Sequence, residues 1–488
     1  MPSVLRYSTI AVSIITFGLV IAQAASFIRH SGVCCADDAY FAIVAKSIAV
    51  DGKYGLPVAS DKIVGFHPEI GSGPALLFPG ALMIAVFGSK VWVPGATTVL
   101  ILVVQVGVLV LVLRQRFRLA NALLFSSVTL AGLLALGNHQ WYLGVYVGEV
   151  PAIGFLLLAA SLLVSNRLFA AGACLGLAFL TKQITLIAGA GMVVGWFSAA
   201  LLTGRNGRQI RDGSKILFAF LPLLGLFELY KFYALGPAQY LANLVEVVGT
   251  TSRMAVGSAI PASERPQRML EILSSPYAVG VGVLTCVLLA SLLCAFAARR
   301  GYEGGRDAAA LLLVFGFGVF LYVFYFAAVS VMWPRYLYVG VGLLAAALAT
   351  PLLVDNARLT AVYLLVLLTL AVTPSAVFRN FYQFSNTERW ATDLRYVASF
   401  LDSPENRSLP IASRSWQSLF DTLFLLQAPR TWVLGHESKV FAGRPYLVVL
   451  NRRFADAEDD LVKAWLASCA PQFSQGSYLV LRCGSAAK

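Results

Sequence analysis

The sequence predicts an all-α polytopic membrane protein of about 11–12 transmembrane helices, with a small C-terminal α/β domain outside the membrane. Three observations predict it. Hydrophobic residues make up 58% of the 488 and charged residues only 12%, where a soluble domain carries about 25%; mean hydropathy is +0.76. Uncharged apolar runs recur along the chain, each long enough to cross roughly 30 Å of hydrocarbon as a helix. Beyond residue 377 the composition turns polar and mixed, which divides the chain into a transmembrane domain at 1–377 and an extracytoplasmic domain at 378–488.

The first run, 8–28, holds no charge over 21 positions. It is longer than the apolar stretch of a signal peptide and more spans follow, so it reads as an uncleaved first helix. Further runs lie at 95–113, 119–137, 184–202, 277–298, 308–329 and 358–377. Backbone groups find no water partner in lipid, so these runs are helices. Residues 74–88 are apolar but number 15 and contain two prolines; they read as partly inserted or interfacial.

Basic residues set the topology. Arg114, Arg116 and Arg118 form one cluster, Arg205, Arg208, Arg211 and Lys215 a second, and Arg299, Arg300 and Arg306 a third. Placing all three on the cytoplasmic side makes 29–94 a long outer loop. The other outer segments are then 137–149, a turn near Lys182, 235–276, 330–336 and the tail. The net charge of +13 needs no nucleic acid, because loop arginines facing anionic lipid account for much of it.

In the tail, β-like runs at 408–413, 431–435, 445–450 and 478–483 alternate with helix-like stretches at 386–401, 414–427 and 456–468, the pattern of a small α/β domain. Cys469 and Cys483 fall there, and an oxidising compartment would allow them to pair. Cys174, Cys286 and Cys294 fall in spans as packing residues, while the adjacent Cys34 and Cys35 are poorly placed to pair with each other. No zinc-ligand spacing, phosphate-binding glycine loop or dinucleotide fingerprint is present.

Charges at membrane boundaries carry the functional information. Asp37 and Asp38 open the stretch DDAYFAIVAKSIAVDGKYG. Its helical periodicity and Asp51-Gly52 turn predict an amphipathic helix lying on the membrane, where the two carboxylates either cap the helix or do chemistry. Glu149 in WYLGVYVGEVP has the same two readings. His67 and Glu69 in GFHPEIG, Lys182 in FLTKQITL, and Arg335 with Tyr336 in MWPRYLYV complete the set. Lys182 could instead snorkel, Arg335 could hold lipid headgroups, and His139 reads as interfacial. Together, in this topology, all lie on the outer side at one depth.

DDAYFAIVAKSIAVDGKYG, GEVPAIGFLLLA, GLAFLTKQITLI and WPRYLYVGVGLL, in this order, resemble the GT-C superfamily of membrane glycosyltransferases, which use polyprenyl-phosphate sugars. The branch holding the lipid A aminoarabinose transferases and the protein O-mannosyltransferases is the most similar. The resemblance covers residues 1 to about 350. The opening motif departs from the family's Asp-Glu-x-x-Tyr: here it is one residue shorter, with Asp for Glu. It implies that Asp37 is the catalytic aspartate, a general base activating an acceptor hydroxyl for inverting displacement of the lipid phosphate. Asp38 stands beside it, and Glu149 stands where a second acid orients acceptor or donor. Arg335, Lys182 and Tyr336 would hold the donor phosphate. His67 and Glu69 fall where relatives carry polar residues near that phosphate and in some a divalent metal ion, although His-Pro-Glu here replaces the Glu-Lys-Pro type of pattern.

The implied partners are a polyprenyl-phosphate sugar in the membrane, as co-substrate, and a cell-envelope acceptor that is a glycolipid, polysaccharide or protein. The implied location is a bacterial inner membrane with the site on the periplasmic or extracellular face. Two other classes remain open from the residues. A polysaccharide polymerase or ligase would use a lipid-linked glycan, usually through a large central outer loop. A lipid or sugar transporter would more often show internal repeats and broken helices near the midplane.

Overall fold

A computed structural model describes residues 3–484 except 32, 34–35, 68–69, 137–144, 203–205, 257–260, 262, 275–280, 331, 333, 372–389, 415, 427–429, 436–440, 442 and 453–458. Helices dominate. The first part of the chain runs α1 (Ser3–Ser31), α2 (Ala36–Asp51), a hairpin of β1 (Gly55–Ala59) and β2 (Lys62–Gly65), α3 (Pro74–Phe87), α4 (Val93–Leu113) and α5 (Leu119–Leu136). Next come α6 (Glu149–Val164), α7 (Leu168–Thr181), α8 (Thr185–Leu202), α9 (Asn206–Leu235), α10 (Pro237–Val256), α11 (Arg265–Ser274), α12 (Val281–Arg300) and α13 (Gly305–Ala328). A 3-10 turn at Pro334–Leu337 leads into α14 (Tyr338–Ala349), and a second at Thr350–Leu353 into α15 (Ala357–Ala371).

Among the described residues five helices are long and apolar enough to cross a membrane: Tyr7–Ser26, Val93–Leu113, Thr185–Leu202, Asp212–Leu235 and Gly305–Ala328. Five shorter apolar helices accompany them, at Pro74–Phe87, Leu119–Leu133, Glu149–Val164, Leu168–Thr181 and Tyr338–Leu353. The expected spans at 277–298 and 358–377 are shorter as α12 and α15, because 275–280 and 372–389 lie outside the described residues. At 14 residues, α3 reaches about 21 Å, less than a membrane crossing.

The chain divides into two compact units that interleave in sequence. One holds Met1–Gln23, Leu100–Tyr142 and Gly148–Ser385; the other holds Ala24–Val99, Leu143–Val147 and Asn386–Lys488.

In the first unit α8 and α13 run antiparallel. A Cβ on Gly191 would meet the Phe317 carbonyl, and one on Gly195 the Leu313 carbonyl, so this small-xxx-small pair lets the two backbones touch. One end of the unit is laced by ions. Arg118 pairs with Glu303 at 2.8 Å and Asp355 at 2.7 Å, and Arg116 approaches Asp307 at 4.0 Å. Asn121 Nδ2 donates to the carbonyls of Leu353 and Val354 at the same end. Two of the arginine-bearing turns thus share one end, as the topology argument expects. The side chains of Arg208 and Arg211, and residue Arg205, lie outside the described residues.

The second unit carries the α/β domain. α16 (Trp390–Leu401), β3 (Ile411–Ser413), α17 (Trp416–Leu425), β4 (Trp432–Leu434), β5 (Tyr446–Asn451), α18 (Asp460–Ser468), β6 (Ala470–Gln475) and β7 (Tyr478–Cys483) follow in order. The sheet order is β4-β3-β5-β7-β6. β3 is parallel to β4 and β5, whereas β7 is antiparallel to β5 and β6. Ala412, Val448, Leu450, Leu481, Val462 and Trp465 form its core. Four of the five strands stand where the apolar runs predict them. The fifth, β6, is APQFSQ, an edge strand whose Pro471 and polar residues hide it from apolar patterning.

α2 differs from expectation. It is not an amphipathic helix lying on a surface: Asp38 through Ala45 are all buried, and α2 packs against α3, α17 and β1. The sequence shows why, since AYFAIVA presents no polar face over those positions. The helix does end at Asp51, with Gly52 at φ 65°, as the Asp-Gly pair predicts.

Cys469 and Cys483 are joined, with Cα atoms 4.6 Å apart, and the bridge ties the start of β6 to the end of β7. In α17, Asp421 is buried, accepts from the Tyr478 hydroxyl, and takes Thr422 N at 2.6 Å. Burial raises its pKa to about 6, against the lowering effect of these hydrogen bonds. Two outcomes follow for thermal unfolding of the solubilised chain. Cys469→Ser destabilises the C-terminal domain by about 3 kcal/mol, and reductant does the same to wild type. Because the folded pKa of Asp421 exceeds the unfolded value, its contribution is full below about pH 4 and lost as pH rises to about 6. Asp421→Asn therefore flattens the dependence of stability on pH between 4 and 6.

Candidate active site

In the second unit the site is built on the first turn of α2. Asp37 is half-buried there, and Asp38 beside it is fully buried. Asp38 Oδ1 accepts the Tyr146 backbone N–H at 2.6 Å. Three more side chains staple the segment 145–147. Thr98 Oγ1 donates to the Val145 carbonyl at 3.1 Å, Ser72 Oγ to that of Val147 at 2.8 Å, and the Tyr146 hydroxyl to that of Leu76 at 3.0 Å. A buried carboxylate needs such partners, so Asp38 is committed to holding backbone while its neighbour keeps some exposure. One turn on, the Tyr40 hydroxyl lies 3.4 Å from His67 Nδ1.

His67 is thereby within reach of a phenol, and no three His, Cys, Asp or Glu side chains gather as metal ligands among the described residues. Glu69 and His139, like Cys34 and Cys35, lie outside those residues.

The first unit holds the other charges. Glu149 is the first residue of α6, entered through Gly148 at φ 91°, a left-handed geometry that favours glycine. Its carboxylate is buried, with Oε1 3.2 Å from the Nζ of Lys182, itself 8% exposed at the end of α7. Neither reading for these residues alone, cap or snorkel, describes them: they are a buried ion pair. Glu149 Oε2 has no hydrogen-bond partner among the described residues.

The 3-10 turn carrying Arg335 and Tyr336 shares this end of the unit. α14 starts directly after the turn, and Gly342 packs on Ile153, one turn inside Glu149. The Tyr336 carbonyl accepts from the Tyr322 hydroxyl near the end of α13. α11 buttresses the same corner: Arg265 Nη1 donates to the carbonyls of Ala327 and Ser330 at 3.1 and 3.2 Å, and Met269 packs beside Phe326, Met332 and Leu337. The Arg335 side chain lies outside the described residues. α13 separates this corner from the ion-laced turns by 24 residues, about 36 Å of helix. Within this unit Glu149, Lys182 and Tyr336 lie toward the end of α13 away from Arg116 and Arg118.

Sequence reasoning passed over Tyr146 and Lys46. Tyr146 meets Asp38 through its backbone N–H, which leaves no trace in side-chain chemistry. Lys46 did leave one: a single lysine inside an otherwise apolar helical run.

The fold is that of a polytopic, mainly helical membrane protein with a C-terminal α/β domain. The particular likeness is to ArnT from Cupriavidus metallidurans. Its crystal structure bound to undecaprenyl phosphate superposes with a TM-score of 0.61 and 14% identity, over 96% of this chain and 97% of that one. Its apo structure gives 0.60 and 13%, with the same coverage. No family model and no curated protein matches the sequence, so the likeness is one of fold.

Removing one partner from a buried ion pair costs about 3–5 kcal/mol. Lys182→Met therefore destabilises the solubilised chain in thermal unfolding, and adding Glu149→Gln recovers most of the loss.

Proposed function

We propose that this chain is an integral membrane glycosyltransferase of the bacterial inner membrane. It moves a single sugar from a polyprenyl-phosphate donor to a cell-envelope acceptor on the periplasmic or extracellular face, with inversion. The observation that carries the reading is the contrast at the start of α2: Asp38 is fully buried and takes the Tyr146 amide, while Asp37 beside it is only half-buried and keeps an accessible side for substrate. The fold it shares with ArnT, crystallised with undecaprenyl phosphate, supports the class of donor.

Asp37 acts as general base and takes the proton from an acceptor hydroxyl. The acceptor oxygen bonds to the anomeric carbon as the bond from that carbon to the phosphate oxygen breaks. The lipid phosphate leaves with the electron pair, and the configuration inverts. Negative charge grows on the departing phosphate, so cations placed there lower the barrier. Arg335 takes this role first, because a guanidinium can grip phosphate through two hydrogen bonds and the Lys182 ammonium is already matched by Glu149. Glu149, with one oxygen unpartnered, accepts a hydroxyl of the acceptor or donor sugar, and Tyr336 lines the phosphate side.

Asp37→Asn abolishes transfer of labelled sugar from a polyprenyl-phosphate donor to envelope extract, lowering kcat by at least about 1000-fold, while undecaprenyl phosphate still binds. Wild-type turnover in Asp37→Asn would remove the base assignment.

A further inference from the structure

Lys46 stands on α2, eight residues after Asp38 and nine after Asp37. Its Nζ donates to the carbonyls of Leu423 at 3.0 Å, Phe424 at 3.0 Å and Leu426 at 2.8 Å. Leu423 and Phe424 lie in the last turn of α17 and Leu426 directly follows it, so their carbonyls have no acceptor duty inside the helix. An ammonium has three protons, and here all three are used. The charge also sits at the negative end of the helix dipole. A lysine from one helix thus closes the end of another that lies more than 370 residues further along the chain.

The helix it closes is anchored in turn. Asp421 joins α17 to Tyr478 on β7, and Phe420 lies edge-on to Trp432 on β4. The same Phe420 contacts Tyr40, with ring centroids 6.1 Å apart, one turn from Asp37. α2 and α17 therefore meet at two places, an aromatic contact near the acidic turn and a charged contact near the far end of α2. Two contacts along one helix fix its direction relative to α17, in addition to its packing on α3 and β1.

We propose that Lys46 is a positioning residue for the reaction: through the end of α17, it makes the C-terminal α/β domain the rigid support that aims Asp37. The proposal rests on the reading of Asp37 as base. It assigns the domain a part in catalysis. A 1 Å displacement of a reacting group can cost on the order of 100-fold in rate, so a support remote from the reacting atoms can still govern turnover. Burial lowers the Lys46 pKa to about 8 against the opposing pull of Asp402 and Asp51. Burial at that cost fits a residue retained for its three contacts.

The test compares wild type, Lys46→Met and Lys46→Arg as full-length chains in nanodiscs. Three quantities are read: transfer from a labelled polyprenyl-phosphate sugar, binding of undecaprenyl phosphate, and hydrogen exchange by mass spectrometry. In Lys46→Met we expect kcat to fall roughly tenfold, with the donor KM and lipid phosphate binding within about twofold of wild type. Exchange should quicken in 36–42 as well as in 416–426. Lys46→Arg, which can still donate to several carbonyls, should regain most of the turnover. Wild-type kcat in Lys46→Met overturns the proposal. So does a fall in kcat matched by loss of lipid phosphate binding, which marks general unfolding, and so does unchanged exchange at 36–42. Failure of the base reading is separable: it shows as an active Asp37→Asn, whatever the exchange at α2 does.

Discussion

Hydrocarbon tolerates no unpaired charge, and that constraint arranges the rest of this protein. With 12% charged residues in the chain, many of the described ionisable groups sit at a helix end or against a partner. In the first unit this sorts α13 into two chemically different ends. At one, Arg116 and Arg118 meet Asp307, Glu303 and Asp355, a lacing that holds turns together and in which the exposed pairs are worth little each. At the other, a single glutamate and a single lysine are buried against each other. Burial there costs solvation without a large gain in stability, so the second end is where function is the better explanation.

The same economy governs α2. Its buried middle, Ala39 to Ala45, leaves polar work to the two ends of the helix. At the first turn Asp38 holds the Tyr146 amide and so fixes the backbone on which Asp37 stands. Near the last turns Lys46 holds the α17 carbonyls. A carboxylate meant to take a proton at a defined point gains from a helix that cannot turn, and α2 is restrained by α3, β1 and α17 together.

The sequence made the membrane class, the strand–helix order of the tail, the Asp51-Gly52 stop and the boundary charges legible, because each depends on local composition or spacing. What it concealed depends on partners distant in sequence. α2 read as a surface helix because an isolated helix with a lysine and two aspartates looks amphipathic; only its neighbours reveal that Lys46 points into a helix end. Glu149 and Lys182 were legible as boundary charges with two readings each, but their pairing was not, because it joins residues 33 positions apart. β6 was hidden by Pro471 and polar residues that suit an edge. The pairing of Cys469 with Cys483 was open in the sequence, since spacing gives no Cα distance, and closed in the structure by the antiparallel register of β6 and β7.

The central claim is that the donor is a sugar on a polyprenyl monophosphate. It is tested most directly by offering the purified, reconstituted chain three forms of each labelled sugar, together with envelope extract: a polyprenyl phosphate, a nucleotide sugar, and a glycan on polyprenyl diphosphate. Hexose, pentose and amino sugar are tried in turn. The account predicts that label reaches an acceptor from the polyprenyl monophosphate alone. Transfer from the nucleotide sugar or the diphosphate-linked glycan, with none from any monophosphate donor, would contradict it.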